Sequence, residues 1–245
     1  MKKSGRKRKN RITELILVFA LAAIWAVTAV IVLRTRGSTG DAEPPSAYPE
    51  YSGRVYTEIN GNVPFFTDKD KSAECFKMFT EHDSLGRCGA AFACIGREML
   101  PEEPRGRIGD VRPSGWHTVR YDDLIEDKYL YNRCHLIAYS LCGENANENN
   151  LITGTRYMNV EGMLPFETLV ADYVRRTGNH VLYRVTPEFL GDNLLASGVL
   201  MEAYSVEDSG RGCSFCVYVY NIQPGIEIDY ADGSSRVENK GENSK

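Results

Sequence analysis

His135, Asn159 and Glu167 are the side chains in this sequence whose types and spacing suit chemistry on water. His135 follows Arg133 and Cys134 at the end of an apolar run, and Asn159 and Glu167 stand eight residues apart in TRYMNVEGMLPFE. An imidazole is the side chain best poised to take a proton near neutral pH. A neutral amide oxygen suits a hard cation such as Mg²⁺, which keeps several of its waters and takes phosphate oxygens as ligands. Phosphodiester hydrolysis needs such a base, a cation on the non-bridging oxygens and relief of charge on the leaving group. If helix runs continuously from Asn159 to Glu167, roughly 12 Å of rise separates them. Glu167 then reaches the cation only through water, unless the Gly162–Pro165 region folds the chain back.

The elements that must hold these residues are read from periodicity. Trp116–Tyr121 alternates as a strand does, and Lys128–Leu141 reads as a second strand, so the two are expected to pair antiparallel across DDLIED with His135 central. ENANENN, residues 144–150, reads as an Asx-rich turn. The clearest helix follows. Pro165 suits its first position, Phe166, Leu169, Val170, Tyr173 and Val174 mark its apolar stripe, and Gly178 ends it. Glu167 lies on the flank of that stripe.

Tyr56–Phe66 suggests a short strand and an Asn-Gly turn, Ser72–His82 reads as weakly helical, and 101–115 as loop. His180–Thr186, Leu194–Tyr204 and Cys213–Gln223 form an expected antiparallel meander with Gly198 as a bulge. From Asp232 onward the polar composition reads as frayed. The fold class is therefore α+β with a central antiparallel sheet.

The N-terminus has a different character. Seven basic residues between Lys2 and Arg11 precede Leu15–Leu33, an apolar run of 19 residues broken only by Thr28. That length meets the roughly 20 residues a membrane-crossing helix needs and exceeds the apolar core of a cleavable signal. A retained single-span anchor is favoured over a secreted, cleaved form. The heavier basic flank places the N-terminus in the cytoplasm and the bulk of the chain outside the cell membrane. The expected organisation is a basic head at 1–11, an anchor at 12–36, a flexible linker at 37–50, a folded domain at 51–233 and a polar tail at 234–245.

Of 29 Lys+Arg and 33 Asp+Glu, the head and anchor carry nine basic residues and Glu14, leaving the remainder near −12. A broad basic face that coats nucleic acid is thereby excluded, because such binding draws its affinity from Lys and Arg on phosphates. A local basic cleft is not. Arg133 and Arg156 are candidates for it, whereas Arg175 and Arg176 suit the last turn of the helix, where cations complement the dipole.

Seven cysteines leave at least one unpaired. Cys213 and Cys216 have CxxC spacing, but residues three apart on a strand face opposite sides of the sheet, so this pair reads as buried thiols.

At Asn132-Arg133-Cys134-His135 and at Asn159 with Glu167, the sequence resembles the DNA/RNA non-specific endonucleases of the ββα-metal superfamily, in particular their exported bacterial DNases. The likeness runs from about Tyr51 to Gly233 and includes SGWHTV, GNHVLYRVTP, ASGVLMEAYSVED and VYNIQPGIEIDYADG. It implies a ββα-metal motif within the domain and a DNA substrate, with RNA as a further one. It also implies one Mg²⁺, with Mn²⁺ as a substitute. In that frame His135 is the general base, Asn159 holds the metal, Glu167 orders water around it, and Arg133 orients the site or stabilises the phosphate. Arg156 is added as a substrate contact from its proximity to Asn159 alone. Two positions depart from the family signature: Asn132 replaces an acid and Cys134 a glycine, which would strain the site if a positive φ were required there. The competing readings are a membrane-tethered receptor that binds nucleic acid without cutting it, and a structural module that does neither.

Overall fold

A computed structural model describes residues 43–72 and 74–239. The expected anchor at 12–36 lies outside the described residues. Six strands form the main sheet: β1 (Tyr56–Glu58), β2 (Phe76–Phe79), β3 (Ala91–Ile95), β6 (Val181–Glu188), β7 (Gly198–Ser205) and β8 (Ser214–Tyr220). Their order is β1-β8-β7-β6-β3-β2, and every neighbouring pair is antiparallel. A two-stranded ribbon pairs β4 (Tyr131–His135) with β5 (Leu151–Thr155). A second ribbon joins β9 (Ile226–Ile228) to β10 (Ser235–Val237).

The strand period of two puts one set of side chains on each face of the main sheet. Ile95, Tyr183, Val185, Met201, Phe215, Val217 and Val219 are buried in the main core, together with Val170, Tyr173 and Val174 of the long helix and Cys134 of β4. Leu200, Cys216, Tyr218 and Tyr220 occupy a separate cluster. Cys213 belongs to the first set and Cys216 to the second, as strand geometry requires, and all seven cysteines are free. Buried Glu202 is held by a bidentate pair with Arg184 across β6 and β7, at 2.7 and 3.0 Å, and accepts from the Phe65 amide at 2.7 Å. Every charge removed from water there has a partner, as burial demands.

Several expectations are corrected. Trp116–Tyr121 does not pair with the strand that carries His135. Only a single bridge, Arg120 to Tyr129, links these segments, and β4 takes β5 as its partner, with His135 opposite Leu151. Trp116, Val119 and Tyr121 instead pack against Ile125, Leu130 and Tyr131, so their alternation serves a small core rather than a ladder. The expected strand to Leu141 ends at His135, and a short helix α1 (Tyr139–Cys142) follows. The weak helix expected at Ser72–His82 is edge strand β2. Gly198 keeps regular register with Glu188 and Tyr220, so it is no bulge. A Cβ there would come within 2.4 Å of the Val219 carbonyl oxygen, and that close approach explains the glycine. Beyond Asp232 the chain is not frayed throughout, because β10 pairs with β9. Toward the expected linker, Tyr48 stacks on Tyr218 at 4.1 Å between ring centroids, and the Tyr220 hydroxyl donates to the Pro49 carbonyl at 2.9 Å.

The helix α2 spans Leu164–Thr177 with Pro165 in its first turn and Gly178 in the left-handed conformation at its end. Leu169, expected on the buried stripe, is 46% exposed; Val170, Ala171, Tyr173 and Val174 carry the packing instead.

Candidate active site

Two buried asparagines fix the ribbon that carries His135. Asn150 accepts from the Ile137 amide at 2.8 Å and donates to the Ile137 carbonyl at 2.9 Å, clasping the chain just after β4. Asn221 accepts from the Thr155 amide and donates to the carbonyls of Thr153 and Ala196, tying β5 to the region of the main sheet. Past β5, the Thr155 hydroxyl accepts from the Met158 amide at 3.0 Å, as a helix-capping hydroxyl does, and donates to the Ile222 carbonyl at 2.6 Å. The chain then runs through a π-helical stretch, Met158–Met163, directly into α2. Met163 and Leu164 both hold right-handed helical geometry, so no break at Gly162–Pro165 folds Glu167 back toward Asn159. A π-helical insertion of this kind often marks a functional position.

One cleft of about 420 Å³ is lined by Arg105, Trp116, Asn132, Arg133, His135, Asn159 and Glu167, among others. Four of the five residues singled out in the sequence thus meet in one place. Arg156 does not. It is not part of the cleft lining, and its guanidinium pairs with Asp127 at 3.0 Å.

His135 is buried, and its Nε2 lies 2.7 Å from the Asn145 carbonyl oxygen. That acceptor assigns the proton to Nε2 and leaves the Nδ1 lone pair available. Burial pulls the imidazole below its usual value, and the positive charge of Arg105 pushes the same way, against the opposing effect of the Asn145 carbonyl. The ring is therefore neutral at neutral pH, as a base must be.

The Asn159 amide nitrogen donates to Asn132 Oδ1 at 3.2 Å, which turns the Asn159 carbonyl oxygen away as a potential cation ligand. Asn132 is thus a neutral orienting partner where the family signature has an acid. Glu167 is 9% exposed and has no hydrogen-bond partner among the described residues. Burial pushes its carboxyl up to about 8, and Arg105 opposes that rise. An unpartnered carboxyl and an oriented amide oxygen that line one polar cleft fit a divalent cation: Asn159 would supply a ligand, and the cation's charge would favour the ionised form of Glu167.

Arg133, on β4, is largely committed to the loop that precedes Trp116. Its Nε donates to Val111 O at 2.6 Å, one terminal nitrogen donates to Gly109 O at 2.7 Å, and the guanidinium lies 3.9 Å from the Trp116 ring centroid. It anchors the 109–116 segment as a wall of the cleft. Arg105 has no salt bridge among the described residues and is the cation whose field reaches both His135 and Glu167. Sequence reading missed it because it sits in a Pro/Gly-rich loop without periodicity. Cys134, by contrast, is fully buried and is absent from the positive-φ residues, so replacing glycine there introduces no backbone strain.

Residues 66–207 match the DNA/RNA non-specific endonuclease family. The chain belongs to this family. A deoxyribonuclease from Streptococcus dysgalactiae subsp. equisimilis is 34% identical over 112 residues, 44% of this chain and 33% of that protein. The chain thus matches about a third of the length of that curated relative. NucA from Streptococcus agalactiae, solved with no metal and with magnesium bound, superimposes with a TM-score of 0.65 at 26% identity, covering 74% of this chain and 86% of NucA. The Sda1 nuclease, solved with bound zinc, gives a TM-score of 0.56 at 30% identity, covering 66% and 81%. The α+β architecture and its antiparallel sheet are those of this endonuclease family, and the two solved relatives bind metal.

Proposed function

We propose that this chain is a metal-dependent endonuclease that hydrolyses phosphodiester bonds of DNA, with RNA as a further substrate. The observation that carries the reading is the convergence in one cleft of a neutral imidazole, an oriented amide oxygen and an unpartnered carboxyl. His135 Nδ1 takes a proton from the attacking water as its oxygen bonds to phosphorus. The P–O3′ bond breaks, leaving a 5′-phosphate and a 3′-hydroxyl that regains its proton from solvent. Asn159 would hold the divalent cation, Mg²⁺ or Mn²⁺, which when bound supplies positive charge to the non-bridging and leaving oxygens. Glu167 accepts hydrogen bonds from water in the cleft and fixes its direction. Arg105 faces the phosphate, while Arg133 keeps the adjoining wall in place.

The test is incubation of the full chain with plasmid and Mg²⁺, beside EDTA-treated and His135→Ala samples. Cleavage that needs the cation and the imidazole supports this reading. Cleavage that persists in EDTA or in the variant rejects it, and tight binding without cleavage points to a nucleic-acid receptor instead.

The basic head and the apolar run Leu15–Leu33 support a tether that keeps the catalytic domain outside the cell membrane. Digestion of intact cells with an added protease checks this placement: the domain should be cut away while the N-terminus stays protected.

A further inference from the structure

Away from the cleft, three side chains from separate segments converge at the β2 edge of the main sheet. Cys75 precedes β2, Glu98 lies on a single 3₁₀ turn (Arg97–Met99) after β3, and His180 immediately precedes β6. The Cys75 sulfur lies 3.0 Å from Glu98 Oε1, and His180 Nε2 lies 3.8 Å from the same oxygen. One ligand atom from each residue falls within 4.8 Å of the other two. None of the three lines the cleft.

A tetrahedral zinc with Zn–S near 2.3 Å and Zn–N or Zn–O near 2.0–2.2 Å sets its ligand atoms roughly 3.3–3.6 Å apart, so the observed separations are of the right size. The surroundings are arranged as well. Glu207 accepts from the His180 amide at 2.8 Å, and its other oxygen lies 2.5 Å from His180 Nδ1, which fixes the ring and turns Nε2 toward the cluster. A carboxylate on the far nitrogen is the usual support of a metal-ligating histidine. Gly96 supplies the space, since a Cβ there would come within 2.5 Å of the Cys75 sulfur, 2.6 Å of Glu98 Oε2 and 2.8 Å of His180 Cδ2. A thiol, an imidazole and a carboxylate together form a donor set suited to zinc and other borderline-soft cations, unlike the oxygen-rich cleft.

We propose that Cys75 Sγ, Glu98 carboxylate and His180 Nε2 form a zinc-type site, distinct from the catalytic cleft, that staples the ends of β2, β3 and β6 together. Glu98 is 63% exposed and His180 20%, so the site opens to solvent and water completes the coordination. Binding releases the thiol proton, leaving a thiolate on the cation.

The test titrates the full, reduced chain with Co²⁺ and then displaces it with Zn²⁺. A thiolate-to-cobalt charge-transfer band marks this site specifically, because no cysteine lines the cleft. The band is expected in the wild type and in Asn159→Ala, and is lost in Cys75→Ser. Should Cys75→Ser fail to fold, Glu207→Gln provides the second measurement, with affinity falling about 10- to 100-fold through loss of the histidine's support. A reduced wild type without the band, or a band that survives Cys75→Ser, overturns the proposal. So does unchanged affinity in Glu207→Gln. Oxidation of Cys75 to a disulfide that persists under reductant overturns it too.

Discussion

Burial and one carbonyl acceptor set the behaviour of His135. Since the proposed base must be neutral, and saturating Mg²⁺ would keep Glu167 ionised, activity at saturating Mg²⁺ should hold below the ordinary imidazole range and fall as pH drops through the depressed His135 value. A pH–rate profile of kcat/KM checks this, and His135→Ala should lower kcat by about 10²- to 10⁴-fold with DNA affinity little changed. The same shift has a stability consequence of definite sign. Below the ordinary imidazole value the unfolded chain takes the proton first, so the fold loses stability as pH falls through that window. Glu167 behaves oppositely. Its carboxyl is raised to about 8, so between the ordinary carboxylate value and that point the folded state holds the extra proton and stability declines as pH rises. Glu167→Gln should therefore raise the melting temperature at about pH 8 and leave it nearly unchanged at about pH 4, while lowering activity. Calorimetry across pH is the measurement, and added Mg²⁺ should stabilise the wild type more than the variant. Arg105→Ala should cost roughly 10- to 100-fold in kcat/KM, the size of one charge-assisted hydrogen bond to phosphate, whereas Arg156→Ala should leave the rate almost intact.

At the scale of elements, the pairing of β4 with β5 depends on a fit between a cysteine and a glycine. Gly154 lies opposite Asn132, and a Cβ at Gly154 would approach the Cys134 sulfur to 2.5 Å and Met158 Cε to 2.4 Å. Gly154→Ala should thus destabilise the fold by about 1–3 kcal/mol through overpacking. Part of that loss should return in the double variant with Cys134→Gly, a coupling that urea denaturation of the four proteins would measure. The sequence made α2 legible because Pro165, Val170, Tyr173, Val174 and Gly178 repeat one physical signal from cap to cap. The meander of β6, β7 and β8 was legible in apolar runs rich in β-branched and aromatic residues, separated by short turn-rich connections. The partner of β4 was not, since WHTVRY alternates just as a ladder strand does while spending that alternation on the small core around Leu130. β2 was misread because CFKMF has no clear period of its own and is an edge strand with half its side chains exposed. At the candidate site, the positions of His135 and Asn159 showed in residue type and spacing. Arg105 did not, because its place depends on how an aperiodic loop crosses the cleft. Arg156 was singled out from proximity in sequence to Asn159, which says nothing of the direction its side chain takes; its guanidinium turns toward Asp127.

For the whole molecule, the contest is between a strongly acidic body and a small basic cleft. Outside the N-terminal head and anchor the chain carries a balance near −12, so its long-range field repels a polyanion. Attraction then comes only from cations close to the phosphate, where Arg105 and Arg133 line the cleft. Each phosphate neutralised by protein contributes about −0.9 to the slope of log affinity against log salt on duplex DNA. Arg105 as the direct contact gives a slope of about −1, and the charge of Arg133 in the adjoining wall brings it to about −2 at most, shallow compared with proteins that track a backbone through many lysines and arginines. Repulsion between the acidic body and DNA is screened by the same ions, which flattens the dependence further at low ionic strength. Measured by fluorescence anisotropy on catalytically silenced His135→Ala in Ca²⁺, affinity should be modest, with a slope no steeper than about −2 to −3. In Arg105→Ala the slope should shrink by about one. A slope near −6 or beyond would require a basic face that the charge balance denies, and would move the DNA-binding surface away from this cleft.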